Sequence, residues 1–322
     1  MTTAGFGPFD LNQITINGAA LDPDYKRAVT NILIQRSNMG SSLLTMQLTD
    51  PERQIIQKVA KQGATLKIDG LSYTLSQFVK ASDQVQLIFE SSGVYALRGQ
   101  RKPTKAQTGN QYVTPFMKSL VWAIRGMTYV GPDYAATYPQ LIALKANKGI
   151  TLKTVPPFAV GRGSGATTDT NEDSWTCLSR IASTIGWRLW ESGNVVYCGP
   201  DEYWLGKLPG QKGIPPVNKA VSNSKIPDLK EFTRTTQLID FDWNVNKPLG
   251  QASVTCMLDG FSYNIGQIVN LQGVGIANGH WMVSSIQRNM FMPTAAMVLN
   301  VPMPLATYVN PTSLPLSAFP LK

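Results

Sequence analysis

Gly279-His280-Trp281-Met282-Val283-Ser284-Ser285-Ile286, Met290-Phe291-Met292-Pro293 and Ala295-Ala296-Met297-Val298-Leu299-Asn300-Val301-Pro302 follow one another near the end of a 322-residue chain. Two apolar runs separated by a short turn-forming piece read as paired strands. Upstream, Ile239 to Trp243, Ala252 to Leu258 and Gln267 to Leu271 supply further strands, punctuated by turns at Asp259-Gly260, Gln272-Gly273 and Asn278-Gly279. Five strands at this spacing predict a small closed barrel or sandwich.

The N-terminal part carries the same grammar. Ile14-Thr15-Ile16 runs into Asn17-Gly18, a pair suited to the positive φ values of a tight hairpin. Ile32 and Ile34 fall on one face of a strand from Val29 to Arg36, and Leu44, Met46 and Leu48 alternate with Thr45 and Gln47. Asp50-Pro51-Glu52 reads as a helix start, with a helix to about Ala60. Thr65 to Ile68, the turn Asp69-Gly70, Leu71 to Val79 and Val85 to Phe89 then predict a three-stranded meander with Val85, Leu87 and Phe89 in the core.

Between these β-rich ends the pattern changes. Residues 99–113 are polar and read as a boundary. Thr114-Pro115 predicts a second helix start, with Phe116, Leu120 and Ile124 as its apolar stripe up to Gly126. The clearest helix opens at Asn171-Glu172-Asp173-Ser174, carries Trp175, Leu178, Ile181, Ala182 and Ile185, and stops at Gly186. A hairpin follows, Trp187 to Trp190 and Val195 to Cys198 around Ser192-Gly193-Asn194. The predicted fold is mainly β with an α+β insertion. Its parts are an N-terminal β-barrel module (1–98), a linker and helical or loop insertion (99–168), an α+β helix-hairpin module (169–205), a C-terminal β-barrel module with its preceding linker (206–305) and a Pro-rich extended arm (306–322).

Composition narrows the chemistry. One histidine and three cysteines (Cys177, Cys198, Cys256), with no C-x-x-C spacing, do not form a zinc or disulfide framework, and the thiols read as small buried apolar groups. No stretch approaches the roughly 18 apolar residues of a spanning helix, and Met1 to Asp10 lacks a secretory pattern, so folding in a cytoplasm without stable membrane insertion is expected. The net charge of +9 permits acidic partners or nucleic acid but reads as diffuse; its densest cluster, Arg98, Arg101, Lys102 and Lys105, reads as a solvated connection.

Catalytic signatures are missing at the sequence level. Gly161-Arg162-Gly163-Ser164-Gly165 lacks the Gly-Lys ending of a phosphate loop, and His280 stands in no nucleophile or metalloprotease motif. Glu172 with Asp173 and Asp201 with Glu202 offer the two carboxylates of a glycosidase, but neighbours in sequence seldom face each other across a substrate. Asp240 and Asp242 flank Phe241 on one strand face without a third oxygen ligand. Trp122, Trp175 and Trp187 take predicted core positions, which leaves Tyr203 and Trp204 as the exposed candidates for stacking on sugars. No catalytic, cofactor or metal residue is assigned.

Taken in order, Ile14-Thr15-Ile16-Asn17-Gly18, Leu21-Asp22-Pro23-Asp24-Tyr25, Asp50-Pro51-Glu52-Arg53, Leu66-Lys67-Ile68-Asp69-Gly70, Asn171-Glu172-Asp173-Ser174-Trp175, Gly186-Trp187-Arg188, Val196-Tyr197-Cys198-Gly199-Pro200-Asp201, Ile239-Asp240-Phe241-Asp242-Trp243 and the Gly279-to-Pro302 hairpin form a series. This series resembles the minor tail proteins of long-tailed phages of actinobacteria. More remotely, it resembles the baseplate hub and late control protein D family of phage tails and contractile injection machines.

The resemblance implies tandem tube-like β-barrels and a homotrimer at the distal end of the tail, assembled in the host cytoplasm, joining a hexameric tube to a threefold tip. Implied partners are copies of itself, the distal tail protein and tail tube ring, the tape-measure protein, downstream tail-tip or fibre proteins, and DNA touched non-specifically during ejection. No cofactor is implied. Many relatives continue into a hydrolase or fibre, and the expectation for this polypeptide, read to Lys322, is that it digests no wall. The sequence therefore favours a non-enzymatic hub subunit. The rivals are a cell-wall glycan-binding or peptidoglycan-degrading tip protein using Glu172, Asp173, Asp201 or Glu202, and a sequence-independent DNA binder.

Overall fold

In the computed structural model Asn17 and Gly18 take φ values of 51° and 80°, the pair of positive angles that a two-residue hairpin turn requires. They join β1 (Thr15–Ile16) to β2 (Ala19–Ala20). The structure describes residues 14–20, 22–50, 63–68, 70–100, 113–132, 172–200, 228–230, 238–246, 251–259, 265–266, 268–272, 279–292 and 294–300. The chain forms two units, one of Met1–Asn38, Ser42–Glu90 and Asp201–Lys322, the other of Met39–Ser41 and Ser91–Pro200.

In the first unit, α1 (Pro23–Ala28) is capped by Asp22, whose carboxylate accepts from the Asp24 N–H at 2.9 Å. Next comes β3 (Val29–Ser37), and the chain passes β4 (Met39–Gly40), which belongs to the second unit. β5 (Leu43–Thr49), β6 (Thr65–Ile68), β7 (Leu71–Ala81) and β8 (Gln84–Ser91) complete this half. Alternation sets the face: Leu44, Met46 and Leu48 are buried, as are Val85, Leu87 and Phe89 opposite them. These side chains share one core with Ile14, Ile32, Ile34, Leu66, Ile68 and Tyr73, so the sheet curls until β1 and β6 pack over β3 and β5. The helix expected from Asp50 to Ala60 lies outside the described residues.

The second unit holds α2 (Ser92–Gly99), α3 (Val113–Trp122), β9 (Thr128–Val130), α4 (Ser174–Ile185), β10 (Arg188–Ser192) and β11 (Val195–Gly199). Its sheet runs β4-β10-β11-β9, with an antiparallel hairpin at the centre and short parallel strands outside. The Asp173 carboxylate caps α4 by accepting from the Thr176 N–H at 2.7 Å, and Gly186 ends it at φ 77°. Trp175, Leu178, Ile181, Ala182 and Ile185 are buried, the predicted stripe. Gly193 and Asn194 make the hairpin turn at φ 61° and 66°.

Two sequence expectations fail in this unit. The buried face of α3 is Val113, Thr114, Met117, Leu120 and Val121, so Thr114 lies inside the helix and the stripe is rotated from Phe116, Leu120 and Ile124. Trp122, expected in the core, is 59% exposed at the end of that helix. Val113, Met117 and Val121 form a second apolar row with the same spacing of four, one position and about 100° round the helix from Phe116 and Leu120, and it is this row that is buried.

The first unit resumes with β12 (Asp228–Lys230), β13 (Leu238–Asn246), β14 (Gln251–Asp259), β15 (Ile268–Gln272), β16 (Gly279–Asn289) and β17 (Thr294–Asn300). All five predicted C-terminal strands form. The main path is β13-β14-β17-β16-β3-β5-β8-β7-β6-β1-β2, with β15 on β16 and β12 on β15. Along one edge, β16 pairs first with β15 through Met282 and then with β3 from Ser285, and a register break between Val283 and Ser285 marks the change. The β-rich ends of the chain are therefore one sheet, joined at β3 and β16. Among the described residues this path has two ends and does not return on itself, so it is an open sheet; the tandem barrels remain an expectation.

Candidate functional site

The acidic residues that the sequence offered for catalysis have structural occupations where they are described. Glu172, half-buried with its side chain largely covered, accepts two hydrogen bonds from Arg180, at 2.9 Å from Nε and 2.9 Å from Nη2. The planar guanidinium fits a carboxylate in this two-point manner. Asp173 caps α4 and also accepts from the Thr176 hydroxyl at 2.8 Å. Both are thus engaged by the helix they precede. Asp201, Glu202, Tyr203, Trp204 and the Gly161–Gly165 segment lie outside the described residues.

The remaining candidates are scattered over strands. Asp240 and Asp242 stand on β13 opposite Met257 and Thr255, with Asp242 exposed. His280 is paired with Asn270 on β15. Cys177 and Cys198 are buried and outside any disulfide, as composition led us to expect, and Cys256 sits on β14. Among the described residues no three His, Cys, Asp or Glu side chains converge on a point, and no helix is long and apolar enough to cross a membrane. Trp175 and Trp187 are buried, as predicted.

What the fold does present is surface and edge. Lys118 lies 5.7 Å from the ring of exposed Trp122 and 5.9 Å from that of Tyr129. Arg98 reaches Asp173 at 4.0 Å, while Arg101, Lys102 and Lys105 lie outside the described residues. The positive charge is concentrated in one stretch of the chain. Between residues 91 and 168 ten Lys and Arg face Asp133 alone, which equals the whole +9 of the chain. Sequence reasoning missed this because it looked for dense clusters rather than for a stretch without acids.

A buried polar knot lies on the seam between the chain's two ends. Asn38 is fully buried, its N–H bonds the Ser284 carbonyl at 2.8 Å, and its side chain accepts from the Ser284 hydroxyl at 3.1 Å. Asn300 donates to the same hydroxyl at 2.9 Å. Three strands are thereby held in one register where β16 changes partner.

This fold has counterparts among solved structures. The 43 kDa tail protein of prophage MuSo2 from Shewanella oneidensis superimposes with a TM-score of 0.54 at 10% identity, covering 89% of this chain and 96% of its own. The fold is that of phage tail proteins. A tail protein of Neisseria meningitidis MC58 matches with a TM-score of 0.53 at 12% identity, covering 90% and 95%. The c3393 protein of E. coli, a component of the type VI secretion system described as similar to the T4 tail proteins gp27 and gp5, gives 0.53 at 11% identity, covering 90% and 76%. No protein-family model matches the chain, and no curated protein matches it.

Proposed function

We propose that the protein is a non-enzymatic structural subunit of a phage tail tip, a hub whose three copies form a ring between the hexameric tail tube and the threefold tip. The observation that carries this reading is the fold shared with tail proteins over about nine-tenths of the chain. In this reading 1–98 and 206–305 serve as the two tube-like modules, closed into barrels only in the assembled ring, and 99–205 is the insertion between them. The arm 306–322 lies on its own domain or on a neighbouring subunit. Its partners are the distal tail protein, the tube ring, the tape-measure protein and downstream tip or fibre proteins.

Support comes also from the engaged states of Glu172 and Asp173, which leave them to hold α4 rather than a substrate. The basic stretch 91–168 suits acidic neighbouring rings or passing DNA. Antibody-gold labelling of intact virions in the electron microscope tests the proposal. Gold at the distal end of the tail supports it; gold on the capsid or along the tail flank rejects it.

A further inference from the structure

Strand β7 outruns the strand beside it. β6 pairs with Leu71–Thr74, and the Leu75 N–H adds one bond to the Ala64 carbonyl at 2.8 Å. β7 then continues to Ala81 with β8 along its other side. Among the described residues no strand pairs with the β6 side of Ser76–Ala81. Phe78 and Val79 in this run are 52% and 42% exposed. The run contains no proline and a single charge, Lys80. Proteins usually guard such an edge, because its open N–H and C=O groups are a template for another strand.

At the far end of the same sheet stands a second open edge. β13 bonds β14 on one side, and among the described residues nothing pairs with its other side. It is nine residues long, and its charges are Asp240 and Asp242, with no Lys or Arg. The other end of the path, β2, has two residues and offers little to pair with.

We propose that the Ser76–Ala81 edge of one copy adds to the β13 edge of the next, continuing the sheet from subunit to subunit. The inference rests on the ring reading above and names its contact. Two different edges of one chain make a head-to-tail interface, the kind that generates rings when the rotation closes. Lys80 is brought to a strand whose only charges are acidic, and antiparallel or parallel addition covers Phe78 and Val79 while satisfying both rows of backbone groups.

The test is the mass of the full chain in solution by light scattering, alongside far-UV circular dichroism. The wild type is expected as a multiple of the chain and F78K/V79K as a single chain with unchanged dichroism, since both side chains are exposed and edge lysines block strand addition. Lys80→Glu is expected to weaken assembly, and adding Asp242→Lys to restore it. A wild type that stays single at every concentration, a folded F78K/V79K that keeps its mass, or a charge swap without rescue overturns the inference. Should F78K/V79K lose its dichroism, the charge pair decides alone. Gold at the tail end with a single-chain mass retires the edge contact and keeps the tail reading; the converse result does the opposite.

Discussion

The Asn38 side chain accepts a hydrogen bond from the Ser284 hydroxyl at 3.1 Å across 246 residues of sequence. The pair sits where β3 ends and where β16 exchanges β15 for β3, and Asn38 is wholly buried. A buried amide is costly without partners, so the knot works only in the native register. Asn38→Ala is expected to cost ~2–3 kcal/mol and Ser284→Ala ~1–2 kcal/mol in urea unfolding, because each leaves a polar partner unmet. The double variant should lose less than the sum, by about 1 kcal/mol. Strict additivity would mean that the two residues do not act together.

Glu172 and Arg180 make a second contact with a clear expectation. Glu172 is 6% exposed and Arg180 37%, so water screens part of the pair. Glu172→Gln should lower stability by about 1–2 kcal/mol through the lost two-point contact. Peptidoglycan zymography compares the wild type with this variant. Clearing by the wild type that vanishes in a folded Glu172→Gln would instead give the carboxylate a catalytic task.

Glycines in the second unit separate soft from hard crowding. A Cβ on Gly93 would stand 2.8 Å from Glu191 Oε1 and 3.0 Å from Met127 Cε, both side-chain ends that can shift. A Cβ on Gly131 would overlap the Cys198 backbone carbonyl, which the β10–β11 hairpin fixes in place. Gly93→Ala is expected to cost ~1–3 kcal/mol, the usual range for overpacking. Gly131→Ala should cost distinctly more and appear largely as insoluble protein. Equal thermal midpoints for the two variants would contradict this ordering.

Local signals were legible in the sequence, and long-range ones were not. Asn17-Gly18 and Gly193-Asn194 declare their turns because few residues tolerate positive φ. Asp173 and Gly186 bracket α4 by chemistry that acts within one helical turn. Helix α2 escaped notice because Gly93 and Gly99 dilute an eight-residue segment in which only Val94 and Leu97 supply buried apolar side chains. Trp122 was misplaced because α3 carries two apolar rows about 100° apart, and the buried one, Val113, Met117 and Val121, leaves Trp122 on the far side of the helix. The β3–β16 pairing has no local signature at all: an alternating strand matches many partners, and the choice rests on tertiary packing and the Asn38 knot. For the same reason the open edges of β7 and β13 emerge only when the strand order is known.

Cys198 gives a stability prediction with a definite sign. Burial pushes its thiol well above the ordinary value of 9.0, with a smaller opposing pull from a hydrogen bond to Tyr129. The folded protein therefore keeps a proton that the unfolded chain releases above about pH 9. The stabilisation is fully present below that pH and declines as pH rises beyond it, by ~1.4 kcal/mol per unit for one thiol. Denaturant titrations between pH 8 and 11 check this against Cys198→Ala, in which the tyrosines and lysines still titrate. The variant should start less stable because it loses a packed sulfur, yet its stability should fall less steeply above pH 9. Parallel slopes would show that the folded protein lets this thiol ionise as freely as the unfolded chain does.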